Sequence, residues 1–318
     1  MAPIPPKRDL CTLFDLVPAE LWRLVEDGRR FKRERGFPHT DKPLAGKTLA
    51  MVFEKASTRT RVSFEVAAFE LGGHALNLTS QGSQLARGEP VRDTARVLSG
   101  YCHGIMVRTF GQDRVEEMAA HARVPVINGL SDKFHPCQIL ADLMTAADRF
   151  GVKEPAAMRG LKVAWIGDGN NVAHSWIAAS ALLGMEIALA CPAGHLPAED
   201  VLARARALAH GGRVTVTADP AEAARGAAVV NTDVWASMGQ EDEAEARARV
   251  FAPYQVNEAL VRLARPDAVV LHCLPAHRGE EITDAVMEGP RSAVWEQAEN
   301  RLHVQKAVLA WLMGAPHA

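Results

Sequence analysis

Three hydroxyl side chains and one arginine stand together at Ser57, Thr58, Arg59 and Thr60. They follow an apolar run, 48–53, that is typical of a strand, and they open a helix-period pattern. The first-turn N–H groups of a helix lack internal partners and carry the positive end of its dipole. Hydroxyls and a planar guanidinium add donors that match phosphate oxygens. The segment predicts an anion site, with an ordinary helix cap as the alternative.

Other polar side chains follow predicted strands or open predicted helices. In open α/β sheets such positions converge on one ligand cleft. Each motif also has a simpler interpretation, because a histidine at a helix start is more often a surface or capping residue and a thiol at a strand end usually packs. The residues concerned are Arg108, His135, Gln138, Asn171, Asp233, Ser237, Met238, Cys273 and Arg301.

The glycine-rich turn at 167–172 follows an apolar strand and invites a dinucleotide-binding interpretation. Two features argue against it. The third glycine of that fingerprint is replaced by Val172, and no acidic residue follows the next strand to hold a ribose. A tight turn that presents Asn171 to a ligand is the remaining interpretation.

Short apolar runs alternate with helix-period segments, and the runs lack strict alternation, which is typical of strands buried on both faces of a parallel sheet. We predict an α/β fold with two doubly wound domains, each a mostly parallel sheet flanked by helices, and an active site in the cleft between them. Predicted strands are 48–53, 74–78, 104–109, 124–128, 162–166, 186–190, 213–217, 227–231, 268–273 and a short one near Val294. Predicted helices are 58–71, 93–101, 115–121, 135–150, 173–183, 199–208, 257–264 and 299–313.

A break in composition at 151–155 separates the predicted domains, because a helix pattern ends there in glycine and is followed by proline. We place the first domain at 1–148 and the second at 149–290, with the C-terminal helix region 291–318 packing back on the first. The charged run 241–249 is predicted to be the solvated face of a helix, with a mobile lid as the alternative.

Composition restricts the class of protein. The 318 residues are 48% hydrophobic and 23% charged, as in a soluble globular protein of two domains. The net charge of −2 argues against a general nucleic-acid binder and a polybasic membrane anchor. The five cysteines are scattered without a zinc-ligand pattern, which is typical of a reducing compartment. We predict a cytoplasmic protein with no metal, no nucleic-acid partner and no membrane contact.

These motifs resemble those of the aspartate/ornithine carbamoyltransferase family over nearly the whole chain. Ser-Thr-Arg-Thr at 57–60, His-Pro-Cys-Gln at 135–138 and Asn-Arg-Leu-His at 300–303 are similar to motifs of the wider family. His-Cys-Leu-Pro at 272–275, and Asp233 followed by Ser-Met-Gly, resemble the ornithine branch specifically.

The resemblance implies transfer of a carbamoyl group from carbamoyl phosphate to the δ-amine of L-ornithine, giving L-citrulline and phosphate in arginine biosynthesis without a cofactor. The first domain would bind carbamoyl phosphate through Ser57, Thr58, Arg59, Thr60, Gln84, Arg108, His135, Gln138 and Arg301, together with Cys273 and Leu274. The second domain would bind ornithine through Asn171, Asp233, Ser237 and Met238. Arg108, His135, Cys273 and Arg301 would be the catalytic residues. A homotrimer, or a multiple of trimers, is implied, with Gln84 reaching a neighbouring site.

Other functions stay open at this point. A sister enzyme would carbamoylate putrescine, N-acetylornithine or aspartate, but an acid such as Asp233, paired with an α-ammonium, has no purpose for putrescine or an acetylated amine. A nucleotide-dependent oxidoreductase would use the turn at 167–172. A non-catalytic phosphate binder would need only the segment 57–60, and the polar residues predicted in both domains argue against it.

Overall fold

Two parallel sheets organise the chain, one in each of two structural units. The computed structural model describes residues 7–37, 42–79, 88–208, 212–236 and 243–314. Unit 1 is formed by Met1–Leu16, Arg23–Leu140 and Arg301–Ala318, and unit 2 by Val17–Trp22 and Ala141–Asn300. The domain boundaries drawn from the sequence, after residues 148 and 290, stay a prediction beside this division.

The described residues form nine strands and twelve α-helices. The strands are β1 (Thr48–Phe53), β2 (His74–Thr79), β3 (Gly104–Arg108), β4 (Val126–Leu130), β5 (Lys162–Ile166), β6 (Glu186–Ala190), β7 (Arg213–Thr217), β8 (Val229–Thr232) and β9 (Val269–His272). The helices are α1 (Pro18–Arg33), α2 (Thr58–Glu70), α3 (Val91–Tyr101), α4 (Gln112–His121), α5 (Pro136–Arg149), α6 (Asn171–Leu183), α7 (Glu199–Arg206), α8 (Pro220–Ala224), α9 (Ala244–Phe251), α10 (Glu258–Val261), α11 (Asp284–Met287) and α12 (Val294–Met313).

The sheet of unit 1 has the strand order β2-β1-β3-β4, and every pair is parallel. The central strand β3 is buried along its whole length, as its run of apolar residues predicts. The chain winds outward from β1 to β2 and, in the other direction, from β3 to β4. The switch point therefore lies between β1 and β3, where open α/β sheets bind ligands at the carboxyl ends of the strands.

The sheet of unit 2 has the order β7-β6-β5-β8-β9, again with every pair parallel. Its switch point lies between β5 and β8, which pair in register from Val163–Val229 to Ile166–Thr232. Helix α6, which follows β5, buries all but its first residue and ends at Gly184 with φ 69°, a left-handed C-cap that glycine adopts without strain. The α/β class and the two parallel sheets flanked by helices are confirmed.

The predicted short strand near Val294 is wrong. Ser292 makes a single parallel bridge to Val270, and the chain then enters the 20-residue helix α12 at Val294, five residues before the predicted start at 299. The apolar residues Ala293 and Val294 are buried because the beginning of this helix packs into the core, not because they extend a sheet. None of the helices in the described parts of the chain has the length and apolar character needed to cross a bilayer.

Further helices differ from the predictions, and the short helices α8 and α11 were not predicted at all. Helix α1 was not predicted, although Pro18 at its start and the buried Leu21, Leu24 and Val25 carry a helical pattern. In the charged run, α9 exposes most of its residues as predicted but buries Arg247 and Phe251 at helical spacing.

A buried lysine joins α12 to α2 within unit 1. The ammonium of Lys306, 1% exposed, pairs with Glu70, whose carboxylate also lies 3.4 Å from Arg35. Burial alone raises the pKa of Glu70, but the hydrogen bond and charge of Lys306, together with Arg35, hold that pKa below its ordinary value. The carboxylate therefore stays ionised at neutral pH and compensates the lysine charge.

We expect Glu70→Gln to destabilise the protein more than Lys306→Met. The first variant leaves a buried ammonium uncompensated, which costs about 3 kcal/mol of unfolding free energy. The second variant replaces the lysine side chain with an apolar one of similar length. Glu70 then keeps its contact with Arg35 and its partial exposure to solvent. Urea titrations of both variants measure the difference. The reverse ranking would show that the pair is not the main source of stability at this contact.

Candidate active site

The predicted anion segment lies at the switch point of unit 1. Strand β1 ends at Phe53, and Ser57 caps α2 by accepting a hydrogen bond from the Thr60 backbone N–H at 3.2 Å. Thr58 and Arg59, in the first turn, are exposed to solvent, whereas Thr60 is fully buried. The strand, the hydroxyl cluster and the helix start follow one another as predicted, and Ser57 acts as the helix cap that was the alternative interpretation. An anion at this point would meet the positive end of the helix dipole, and the anion site stays a prediction.

Two buried guanidinium groups converge on one hydroxyl oxygen beside this turn. Thr60 Oγ1 accepts a hydrogen bond from Arg108 Nη1 at 3.3 Å and another from Arg301 Nη2 at 2.9 Å. The other terminal nitrogen of Arg301 donates to Gln138 Oε1 at 2.9 Å. Because Thr60 accepts both bonds, its own O–H hydrogen is available to point elsewhere. Arg108, Gln138 and Arg301, distant in sequence, are brought together as predicted.

His135 stands immediately before α5 and is buried, so it is not the surface residue that a histidine at a helix start usually is. Burial first, and then the charges of Arg301, Arg108 and Arg59, hold the pKa of His135 well below its ordinary value. The imidazole is therefore neutral at pH 7 and can donate a hydrogen bond without adding to the charge of the cluster. Its neighbour Cys137 is buried, with a pKa raised to about 12, and acts as packing.

The buried His135 makes stability depend on pH. Its folded pKa is lowered, so between that value and about 6.5 the unfolded chain binds a proton that the folded chain does not. The contribution of neutral His135 to the free energy of unfolding is complete above about pH 6.5. It is lost as pH falls below that value, with a slope of up to about 1.4 kcal/mol per pH unit. We expect His135→Gln to show a smaller loss of unfolding free energy than the native chain between about pH 7.5 and 5.5 in urea titrations. Equal losses in both proteins would contradict this assignment.

A second cluster lies at the switch point of unit 2. Asp233 follows β8 and is 8% exposed. Its Oδ2 accepts from Asn170 Nδ2 at 2.8 Å, and its Oδ1 accepts from Cys273 Sγ at 3.1 Å and from the Val234 N–H at 2.9 Å. Asn171, half-buried, is the first residue of α6. The structure therefore brings Asp233, Cys273 and the start of α6 together.

The strand-end segment that carries Cys273 is fixed from one side by a buried pair. His272 Nδ1 accepts from the Leu274 N–H at 2.9 Å, which places the ring proton on Nε2, 3.0 Å from Glu281 Oε1. Glu281 Oε1 also accepts from the His277 N–H at 2.6 Å. Leu274 has φ 60°, a left-handed conformation that a large side chain rarely adopts. These bonds hold Leu274 in that conformation and present the Cys273 thiol to Asp233.

The ligand atoms of Asp233, His272 and Cys273 lie within 4.8 Å of one another, close enough for a metal ion. Both ring nitrogens of His272 are already hydrogen-bonded, and the thiol donates to Asp233. A metal would have to replace these bonds, so the donor set fits a hydrogen-bonded cluster better than a metal centre.

The sequence did not predict the buried arginine that holds the segment after Asp233 in place. Arg247, on α9, donates to Asp168 and to the Trp235 backbone carbonyl, and its guanidinium lies 5.1 Å from the ring of Phe251. The only signal was the spacing of Arg247 and Phe251 by four residues in a charged helix. Gln84, Ser237 and Met238 lie outside the described residues, so their predicted roles stay predictions.

Each parallel α/β unit thus carries a polar cluster at the switch point where such sheets bind ligands, an arginine cluster in unit 1 and an acidic cluster in unit 2. The chain belongs to the aspartate/ornithine carbamoyltransferase family: residues 8–148 match its carbamoyl-P binding domain and residues 159–312 its Asp/Orn binding domain.

Individual relatives are similar over almost their whole length. An ornithine carbamoyltransferase from Pelobacter propionicus is 56% identical, over 96% of this chain and 99% of the relative. One from Pyrococcus furiosus, described as anabolic, is 53% identical over 96% of both chains. The solved structure of the ornithine carbamoyltransferase from Pyrococcus furiosus superposes with a TM-score of 0.92 at 52% identity, covering 98% of this chain and 99% of that one. The solved structure of the ornithine carbamoyltransferase from Thermus thermophilus superposes with a TM-score of 0.85 at 45% identity. It covers 96% of this chain and 98% of that one.

Proposed function

We propose that this protein transfers the carbamoyl group of carbamoyl phosphate to the δ-amine of L-ornithine, giving L-citrulline and phosphate. The observation that carries the proposal is the meeting of Arg108 and Arg301 on Thr60 beside a neutral His135. Membership of the family and the names of its relatives support the choice of substrates.

Unit 1 holds carbamoyl phosphate in this proposal. The phosphate lies on the first turn of α2 and takes hydrogen bonds from the backbone and from Arg59 and Arg108. The carbamoyl oxygen lies toward Arg301, His135 and Gln138. Attack on the carbonyl carbon builds negative charge on that oxygen, and donors already in place stabilise it more in the transition state than in the ground state. Ser57, Thr58 and Thr60 complete the phosphate site, and Gln84 is proposed to come from a neighbouring copy.

Unit 2 holds ornithine. Asn171 and the Met238 backbone take the α-carboxylate, and Asp233 and Ser237 take the α-ammonium. The δ-amine must attack as the neutral amine, whereas a free alkylamine is mostly protonated at pH 7. The carbonyl of Leu274 and the lone pairs of the Cys273 sulfur, whose S–H is donated to Asp233, accept hydrogen bonds from this amine and guide the loss of its extra proton to solvent. Cys273 forms no acyl-enzyme, because carbamoyl phosphate is already activated and positioning of the two substrates supplies much of the acceleration.

The direction of the reaction in the cell is proposed to be arginine biosynthesis. Two similar proteins are described as anabolic, one from Pyrococcus furiosus at 53% identity and one from Campylobacter jejuni at 40%. We place the protein in the cytoplasm, as its scattered cysteines predict, and all five are free thiols in the structure.

We propose a homotrimer, or a multiple of trimers, assembled through unit 1. Support comes from large exposed apolar side chains on three elements of this unit. Phe69 on α2 and Tyr101 on α3 are 78% and 76% exposed, and Leu76 is exposed on the edge strand β2. A monomer leaves such side chains in water. Sedimentation equilibrium tests the assembly, and a monomer at micromolar concentration would contradict it.

Citrulline formation tests the proposed function. Purified protein with carbamoyl phosphate and L-ornithine is expected to release citrulline and phosphate in equal amounts, with no phosphate release above the spontaneous rate when ornithine is omitted. Phosphate release without citrulline would indicate a hydrolase, and the absence of both products above the spontaneous rate would indicate a binding protein; either result would overturn the proposal.

A further inference from the structure

Asn170 connects the start of α6 to Asp233 in unit 2, because both the oxygen and the nitrogen of its side-chain amide are hydrogen-bonded. Its Oδ1 caps α6 by accepting from the Val172 N–H at 3.0 Å and from the Ala173 N–H at 3.2 Å. These two donors fix the orientation of the amide, because only the oxygen can accept. Nδ2 therefore points to Asp233 Oδ2, 2.8 Å away.

Among the described residues, three donors hold the Asp233 carboxylate: this amide, the Cys273 thiol and the Val234 backbone N–H. Of these three bonds, the one from Asn170 connects the carboxylate to the start of α6. Strands β5 and β8 run side by side up to Ile166 and Thr232, so the turn after β5 and the acid after β8 are adjacent. The amide sets the distance between the start of α6 and the Asp233 carboxylate.

We propose that Asn170 is a positioning residue for amino-acid recognition, holding Asp233 at a fixed distance and orientation from Asn171. This inference rests on the proposed function, in which Asn171 takes the α-carboxylate and Asp233 the α-ammonium of ornithine. An α-amino acid presents these two groups on one carbon, so a small change in their separation weakens both contacts. Asn170 itself touches neither the reacting carbonyl nor the δ-amine.

Helix capping alone is the competing role, and the substitution Asn170→Asp separates the two. Aspartate caps helices about as well as asparagine, so α6 keeps its cap. The variant loses the amide donor and places a second carboxylate beside Asp233, where like charges repel. Asn170→Ala removes the cap and the donor together. Asn257→Asp is the matched control, because Asn257 caps α10 through the Leu260 N–H at 3.0 Å.

We expect Asn170→Asp to raise the KM for ornithine about ten- to a hundredfold. Its KM for carbamoyl phosphate should stay close to that of the native protein, and its melting temperature, although lowered by the charge repulsion, should stay above the assay temperature. Binding of L-norvaline, which has the α-groups but no δ-amine, should weaken by a similar factor in a calorimetric titration with carbamoyl phosphate present. The Asn257→Asp control should leave both constants unchanged.

The pH dependence gives a signature that a structural defect would not produce. Two facing carboxylates share a proton at lower pH, and the shared proton restores a donor to Asp233. The ratio of the variant KM to the native KM for ornithine should therefore fall between about pH 8 and 6. The inference would be overturned if Asn170→Asp had a native-like KM for ornithine and only Asn170→Ala had a raised one. Asn170 would then act only as a helix cap. Failure of the native protein to use ornithine would instead overturn the proposed function.

Discussion

Replacing Arg59 with alanine is expected to weaken the binding of carbamoyl phosphate on the order of a hundredfold or more. Arg59 is in the first turn of α2, exposed, and close enough to His135 to lower its pKa. Its guanidinium offers a planar pair of donors to a phosphate dianion, and alanine leaves the helix turn with backbone donors alone. Isothermal titration with carbamoyl phosphate, and with inorganic phosphate as the product, measures the loss.

Arg61→Ala is the matched control for this substitution. Arg61 lies two residues further along the same helix, is exposed, and pairs with Glu65 at 3.5 Å. The Arg61→Ala substitution removes the same charge from the same helix, but from a side chain that is paired with a surface acid. The affinity for carbamoyl phosphate should therefore change less than about threefold. Equal losses in the two variants would show that the helix binds anions through its overall charge, and would contradict a phosphate site at Arg59.

The second large effect is expected for Asp233→Asn, which keeps the size of the side chain and removes its charge. The KM for ornithine should rise on the order of a hundredfold, because the α-ammonium loses a charge-assisted hydrogen bond in a buried setting. Binding of carbamoyl phosphate should not change. Steady-state kinetics with each substrate varied in turn separate the two effects.

An acceptor without the α-ammonium isolates the cause. With 5-aminopentanoate, which keeps the amine and the carboxylate, Asp233→Asn should change kcat/KM much less than with ornithine. The control Asp219→Asn alters an exposed acid that caps α8 through the Ala221 N–H at 2.8 Å, and should leave both acceptors unaffected. An equal loss with both acceptors would assign Asp233 to the chemical step instead of to recognition of the α-ammonium.

Local chemistry made the strand end and the start of α2 predictable. A strand, a capping serine and a first turn rich in donors are contiguous in sequence, and the structure places Ser57 as the cap of α2 as that pattern indicates. Most strands were found for the same reason, since their apolar runs are short and bounded by turns. Strand β4 was shifted by two residues, because the chain is irregular where β4 pairs with the end of β3.

The contacts that complete the two clusters could not be predicted from local pattern. Arg301 bonds to Gln138, 163 residues away, and to Thr60, 241 residues away. Only the folded sheets and the last helix bring these side chains together. The contact of Asn170 with Asp233 could not be predicted for another reason. A helix cap fully explains an asparagine at that position. Its second bond, to Asp233, depends on the pairing of β5 with β8.

A single assay tests the central claim, that ornithine is the acceptor recognised by the Asp233 cluster. Purified protein receives carbamoyl phosphate with L-ornithine, putrescine, N-acetylornithine or L-aspartate in parallel, and each product is identified by mass spectrometry. We predict turnover with ornithine and none above background with the other three. Efficient turnover of putrescine, N-acetylornithine or aspartate would contradict the roles given to Asp233 and Ser237 and leave only the phosphate site in unit 1.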